Sequence, residues 1–116
     1  MKTTRPFALF VFVLLLFVAA AQAQNITGSI AGVVTDASGA VLSGATVTVT
    51  NTDTGVTIRT VKTGSSGEYS APLLPIGNYS ISVSAPGFKT FSQTGVTVNV
   101  NDKLTINAAL DRKSVV

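Results

Sequence analysis

The sequence predicts an all-β fold, namely a seven-stranded antiparallel Greek-key β-sandwich that follows a cleaved signal peptide. Apolar residues alternate with hydroxyl residues over short segments, as at residues 79–84, where Tyr, Ile and Val alternate with Ser, and most cleanly at residues 45–50, where Ala and Val alternate with Thr. This two-residue period is typical of strands that bury one face. Turns containing Gly or Pro separate the segments, and no stretch after residue 23 has the period of an amphipathic helix.

Residues 1–23 have the pattern of a secretory signal peptide. Lys2 and Arg5 form a short basic region, residues 7–21 form an uninterrupted apolar run, and Ala21-Gln22-Ala23 has the small residues of a cleavage site. The alternative is an uncleaved membrane anchor. We expect cleavage, because the run is shorter than the roughly 20 residues that span a bilayer.

The remaining chain, residues 24–116, is long enough for one small domain and not for two. Six basic residues face five acidic ones after the signal is removed, which excludes the basic surface that nucleic-acid binding requires. The chain has no Cys, so a regular β core must supply the stability that disulfides give many small exported domains. This composition favours a bacterial periplasmic or cell-surface protein.

The first half of the domain contains three predicted strands. A flexible lead-in at residues 24–29 precedes a strand that starts at Ile30 and ends in an Asp-Ala-Ser-Gly turn at 36–39. Residues 45–50 form the next strand, with Ala and Val on one face and Thr on the other. Alternation is broken in the strand at 57–63, so we expect a bulge or an edge position there.

A Gly-Ser-Ser-Gly turn at 64–67 then leads to a strand in which Tyr69, Ala71 and Leu73 share a face. We expect this strand to form a hairpin with the strand before it. Because Pro72 lacks the N–H that a ladder needs, the strand is expected to end there or to lie at an edge.

Two Pro-Gly turns, at 74–77 and 85–88, bracket the strand at 79–84. Val alternates with polar residues over 96–100, and a last strand is expected over 104–108. The sandwich is therefore predicted to span residues 30–110, and residues 111–116 are predicted to be a tail.

Five motifs, in this order, resemble the carboxypeptidase regulatory-like domain. They are Gly-Val-Val-Thr-Asp-Ala-Ser-Gly at 32–39, Gly-Ala-Thr-Val-Thr-Val at 44–49, the segment 63–69, Leu-Pro-Ile-Gly-Asn-Tyr-Ser-Ile-Ser-Val at 74–83, and Pro-Gly-Phe at 86–88. The resemblance covers about residues 30–110 and implies a seven-stranded prealbumin-like sandwich, related to transthyretin-like and starch-binding-like domains. The sequence departs from many members at Leu42-Ser43, where they have Pro, and near Gly64, where they have a polar residue.

A signal peptide followed directly by such a domain also resembles the amino-terminal end of Oar-like TonB-dependent outer-membrane receptors of Gram-negative bacteria. In those receptors the domain precedes a plug and a transmembrane barrel. The resemblance implies an exported protein of the periplasm, the outer membrane or the cell surface. The chain is then expected to be either a fragment of a receptor or a free-standing periplasmic domain.

The residue types that catalysis needs are scarce. His and Cys are absent, which removes the usual general base, the thiol nucleophile and imidazole metal ligands. The five carboxylates fall in or beside predicted turns, where Asp caps its own backbone, and no calcium-loop spacing occurs. We therefore predict a protein that is not an enzyme, with no cofactor and no metal site.

Four residues are candidates for contact with a ligand or partner. The tyrosines are expected in the core, whereas Phe88 and Phe91 are the more exposed candidates for stacking on a sugar. Arg59 and Lys62 lie in the strand with broken alternation, which is the segment expected to accept an added strand from a protein partner.

The sequence thus predicts a non-enzymatic exported interaction or structural module, namely the amino-terminal extension of a TonB-dependent receptor. A carbohydrate-binding module of the starch-binding-like fold and an adhesin-type surface domain are the alternatives. We expect a protein partner in the periplasm or outer membrane, with carbohydrate as the other ligand class. Nucleic acid and a transmembrane segment in the mature chain are not expected.

Overall fold

The computed structural model describes residues 26–113, which fold into two packed sheets with no helix in that range. The eight strands are β1 Thr27–Asp36, β2 Thr46–Asn51, β3 Thr57–Lys62, β4 Glu68–Pro75, β5 Gly77–Ser84, β6 Phe91–Val98, β7 Lys103–Thr105 and β8 Ala108–Leu110. The predicted all-β sandwich is confirmed, with eight strands instead of seven. The predicted signal peptide lies outside the described residues.

The first sheet has the order β4-β1-β7, with β8 paired to β1 beyond β7, and the second has the order β3-β2-β5-β6. Antiparallel pairing, as predicted, joins β4 to β1 and all four strands of the second sheet. The last two strands depart from it, because β7 and β8 run parallel to β1. The reason is where the chain changes sheet. β6 ends beside the start of β5, and this is also the end of the sandwich at which β1 begins. The chain therefore returns to the first sheet next to the start of β1, and β7 and β8 then run in the same direction as β1.

The core lies between the sheets, and alternation correctly predicts which face of each central strand is buried. Its buried apolar residues are Ile30, Val34, Ala45, Val47, Val49, Tyr69, Ala71, Leu74, Tyr79, Ile81, Val83, Val96, Val98, Ile106, Ala108 and Leu110. All of them lie between positions 30 and 110, so a chain that begins at Gln24 retains the entire core.

The last predicted strand is divided into β7 and β8 by a close backbone contact. A Cβ added to Gly32 would overlap the carbonyl oxygen of Ile106, and the buried Tyr69 hydroxyl donates a hydrogen bond to that same oxygen at 2.6 Å. The Asn107 side chain, through Oδ1, accepts from the Val33 N–H at 2.9 Å. Between the β1–β7 and β1–β8 pairings, the Asn107 side chain therefore accepts the Val33 N–H in place of a backbone carbonyl.

The predicted hairpin between β3 and β4 was wrong, because the two strands belong to different sheets. The turn between them is held against the core as it crosses. Thr63 is buried, and its hydroxyl accepts from the Ala45 N–H and donates to the Leu42 carbonyl. Gly67 has a φ of 74° and lies so close to β1 that a Cβ there would come within 2.6 Å of the Val34 oxygen.

The strand β4 is an edge strand, as Pro72 predicts, but it continues to Pro75. The prediction that Leu73 faces the core was wrong. Leu73 has a φ of 55° and is 67% exposed, and Leu74 is buried in its place. The register with β1 shifts between Gly28 and Ile30. The bulge adds one residue to β4, so the next side chain to face the core after Ala71 is that of Leu74 and not that of Leu73.

Both boundaries of the folded unit extend past the predicted ones. β1 begins at Thr27, within the expected lead-in at 24–29. The first residues of the expected tail pair with the β5–β6 turn, since Lys89 N–H donates to the Asp111 carbonyl at 2.7 Å and Lys113 N–H donates to the Gly87 carbonyl at 3.0 Å.

We predict that Gly32→Ala lowers the free energy of unfolding by about 2–3 kcal/mol, because the new methyl group displaces the Ile106 backbone. Gly64→Ala is the matched control and should cost less than about 1 kcal/mol, since the atoms nearest to its new methyl group belong to the carboxylate end of the long, exposed Glu68 side chain, which can turn away. Urea unfolding measures both. Equal losses at the two sites would show that the contact between Gly32 and Ile106 has no special weight.

Candidate interaction edge

The strand β3 forms one edge of the second sheet, as its broken alternation predicts. Its sequence, Thr-Ile-Arg-Thr-Val-Lys, is rich in β-branched residues that favour extended backbone. The register with β2 shifts between Val49 and Thr50, which is the predicted bulge, and residues 59–62 then pair regularly with 46–49.

The free edge of β3 offers backbone groups of Thr60 and Lys62. Thr63 N–H donates to the Ala45 carbonyl at 2.9 Å, so the Thr63–Ala45 pair is hydrogen-bonded. Because hydrogen-bonded and non-bonded pairs alternate along an antiparallel ladder, the N–H and C=O groups of Thr60 and Lys62 point away from β2. Both residues are exposed.

Arg59 connects the edges of the two sheets. Its register opposite Val49 places it on the inward face, and its Nη2 donates to the carbonyls of Pro72 at 2.9 Å and Leu73 at 3.2 Å. Its Nε is buried and has no hydrogen-bond partner among the described residues. The structure thus places Arg59 as a clamp on β4 rather than as an exposed contact residue.

The other edges are less suited to receive a strand. Arg59 occupies carbonyl groups of β4, and Pro72 removes a donor there. The pairing of β6 with β5 has a register shift between Tyr79 and Ile81 of β5. The strands β7 and β8 are short, with three residues each. Short, bulged and proline-containing edges resist pairing, so the regular stretch of β3 is the most open edge.

The predicted contact residues do not form one site. Phe88 and Phe91 are half-buried, pack against the core and lie near the β5–β6 turn. The Phe88 ring is also covered by Arg112, whose Cζ lies 5.8 Å from the ring centroid. Lys62 is on the outer face of the same sheet, three strands away from Phe91. A sugar platform built from both rings is therefore not open in this conformation.

Two of the carboxylates, those of Asp36 and Asp102, cap turns, as predicted for Asp. The Asp36 carboxylate accepts from the Ser38 hydroxyl at 2.6 Å and from two backbone N–H groups, and the hydroxyl bond is the main cause of its lowered pKa. Asp102 accepts from the Asn99 N–H at 2.8 Å. Within residues 26–113 no three potential ligands converge on a metal position.

An open groove of about 520 Å³ lies where β1, β4 and β7 meet, between Leu73 on one side and Asp102 and Lys103 on the other. Ser29 forms part of its floor. A smaller cleft of about 380 Å³ lies between Asp36 and Arg112 at the opposite end. The described residues include no helix capable of crossing a membrane.

Two packed sheets with an accessible edge define a β-sandwich module. A family model for the carboxypeptidase regulatory-like domain matches residues 29–111, so the chain belongs to that family, as its five motifs predict. This family is a non-catalytic module. No curated protein matches the sequence.

Solved structures share the fold at low identity. Catechol 1,2-dioxygenase of Acinetobacter radioresistens aligns with a TM-score of 0.62 and 16% identity over 80% of this chain and 54% of that one. A candidate carbohydrate-binding protein of Bacteroides uniformis aligns with a TM-score of 0.58 and 18% identity, over 72% of this chain and 41% of that one. The minor pilin of Streptococcus agalactiae aligns with a TM-score of 0.59 and 15% identity, over 78% of this chain and 47% of that one. This chain spans about half the length of the dioxygenase chain, and identities this low show the fold alone.

We predict that Arg59→Ala lowers the free energy of unfolding by about 1–2 kcal/mol, because it removes two charge-assisted hydrogen bonds that join β3 to β4. Lys62→Ala is the control on the same strand and should change stability by less than about 0.5 kcal/mol, since Lys62 is exposed. Amide exchange in β4 should rise only in the Arg59 variant. Equal behaviour of the two variants would contradict the clamp.

Proposed function

We propose that this protein is an exported, non-enzymatic interaction module that binds a protein partner by strand addition along β3. The observation that carries the proposal is the regular, uncovered edge at residues 59–62, with exposed backbone groups at Thr60 and Lys62. A partner strand there would extend the second sheet from four strands to five. Main-chain hydrogen bonds supply the affinity in this mode, and side-chain pockets on alternate residues supply the specificity.

The module is proposed to be the amino-terminal extension of a TonB-dependent outer-membrane receptor, located in the periplasm or at the outer membrane. Two features support this assignment. The first 23 residues have the pattern of a signal peptide, and the family domain follows almost at once, at residue 29.

Thr60→Pro should abolish partner binding and leave the fold intact, because it removes an N–H that points away from β2. Thr60→Val is the matched control and should bind normally, since it keeps the N–H and the β-branched shape. Peptides selected from a phage-displayed library against the wild-type chain provide the probe, and titration of both variants provides the measurement. Equal binding by the two variants would rule out strand addition at this edge.

The receptor assignment predicts that the reading frame beyond codon 116 encodes a plug followed by the alternating strands of a transmembrane barrel. Sequencing the genomic locus tests this. A frame that ends without either pattern would contradict the receptor assignment, and the edge-binding proposal would be unaffected.

Carbohydrate binding is the second candidate, and the open groove beside β1 favours it. Ser29, Asp102 and Lys103 bring a hydroxyl, a carboxylate and an ammonium group to one depression, whose opposite side is formed by Pro72 and Leu73. A structural neighbour is named as a candidate carbohydrate-binding protein. Lys103→Ala should lower the affinity for any glycan found on an array by about tenfold, and Lys62→Ala should not. Absence of binding at millimolar sugar would remove this candidate.

A further inference from the structure

The strand β3 is a basic edge of the sandwich. Its six residues include Arg59 and Lys62 and no acidic residue. Arg59 pairs with Val49, whose side chain is buried, so it lies on the inward face of the sheet. Lys62 pairs with Thr46 and lies on the outer face. A strand added to β3 would therefore meet one positive charge on each of its two faces.

Neither of these charges is compensated by a carboxylate of the described residues. The Arg59 side chain donates only to backbone carbonyls of β4, and Lys62 forms no ion pair within residues 26–113. The neighbours of Lys62 across the outer face are the hydroxyl residues Thr46 and Ser84. Both charges are thus available to a carboxylate from outside the domain.

The Arg59 guanidinium has donors left over after it holds β4. Both of its hydrogen bonds come from Nη2. Its Nε is buried with no partner among the described residues, and its Nη1 has no partner among them either. A carboxylate forms shorter and stronger hydrogen bonds with a guanidinium than a neutral carbonyl does. The unused donors therefore favour an acidic ligand.

Antiparallel addition brings an added strand into register with both charges. The whole second sheet is antiparallel, and a fifth strand in the same sense would hydrogen-bond to the backbone of Thr60 and Lys62. Arg59 then lies in a non-hydrogen-bonded pair, in which opposite Cβ atoms are only about 4.5–5.5 Å apart. A carboxylate opposite Arg59 would share the inward face with the guanidinium, and one opposite Lys62 would lie on the outer face, three residues earlier in the added strand.

We infer that the partner of β3 is an acidic extended segment of a protein, with Asp or Glu at two positions three residues apart, one opposite Lys62 and one opposite Arg59. This inference rests on strand addition along β3, which is the proposed function, and names the chemistry of the added strand. Between the acidic positions, an apolar residue opposite Val61 and a hydroxyl residue opposite Thr60 continue the alternation of the sheet.

The same charges disfavour a second copy of this chain as the partner. Two β3 strands paired edge to edge would bring two Arg59 and two Lys62 side chains together, with no carboxylate in either strand. Inward-pointing charges and edge lysines oppose pairing between edge strands. An acidic strand removes this repulsion and a basic or neutral strand does not, so the edge selects its partner by charge.

The first test compares two synthetic peptides that differ only in charge. One has the central sequence Glu-Val-Thr-Glu, the other has Gln-Val-Thr-Gln, and both are titrated against residues 24–116. We expect the acidic peptide to bind about tenfold or more tightly than the neutral one at low ionic strength, and the ratio to shrink in about 1 M salt. Thr60→Pro should abolish binding of the acidic peptide.

The second test exchanges the charges across the pair. Lys62→Glu should weaken binding of the acidic peptide by about tenfold, and a peptide with Lys in place of its first Glu should restore binding to this variant. Lys89→Glu is the matched control. It makes the same change in net charge at an exposed residue beside β6, on the opposite edge of the sheet, and should leave both affinities unchanged. Because rescue requires a specific partner charge, a change in stability cannot produce it.

The outcomes separate this inference from the proposed function. Equal binding of the acidic and neutral peptides, still abolished by Thr60→Pro, would overturn the acidic preference and leave strand addition standing. The inference would also be wrong if the acidic peptide failed to bind while peptides from the phage library bound through Thr60. A dimer of the wild type that Thr60→Pro cannot form would show that a second copy is the partner. Binding that survives Thr60→Pro would contradict strand addition, on which the inference depends.

Discussion

The contact of the Ile106 carbonyl with Gly32 and Tyr69 is the constraint on which the first sheet depends. Burial raises the pKa of Tyr69 to about 12, so its hydroxyl remains protonated and donates to that oxygen at any neutral pH. The contact joins β1, β4 and the segment between β7 and β8, which are far apart in sequence. Because only Gly permits this approach, a single position on β1 determines where the last strands divide.

The sequence predicted the local features of the fold well. Alternation correctly placed Val47 and Val49 in the core, as well as the face of β5. Pro72 predicted an edge, and the family motifs predicted the sandwich. These features depend on neighbouring residues, which share one strand and one solvent environment. The order of strands in each sheet depends on contacts between distant segments, so the sequence could not show that β3 and β4 part or that β7 runs parallel to β1.

In the candidate site too, the features that depend on neighbouring residues were predicted, and those that depend on distant segments were not. Its edge position followed from broken alternation at 57–63, a local signal. The clamp formed by Arg59 on the carbonyls of Pro72 and Leu73 had no such signal, since β4 approaches β3 only in the folded sandwich. The direction of the Thr60 N–H was equally hidden, because it is defined by the register with β2. Leu73 was misplaced for a similar reason, since a bulge in its pairing with β1 reverses the expected face.

The parallel pairing of β8 with β1 has a mechanical consequence. The polypeptide enters the sandwich at the start of β1 and leaves it past the end of β8, at opposite ends of the same sheet. Tension applied between these two points pulls the strands in opposite directions along their common axis. All of the β1–β8 hydrogen bonds then carry the load together instead of opening one after another. This shear geometry gives the domain a high resistance to unfolding by tension between its two ends.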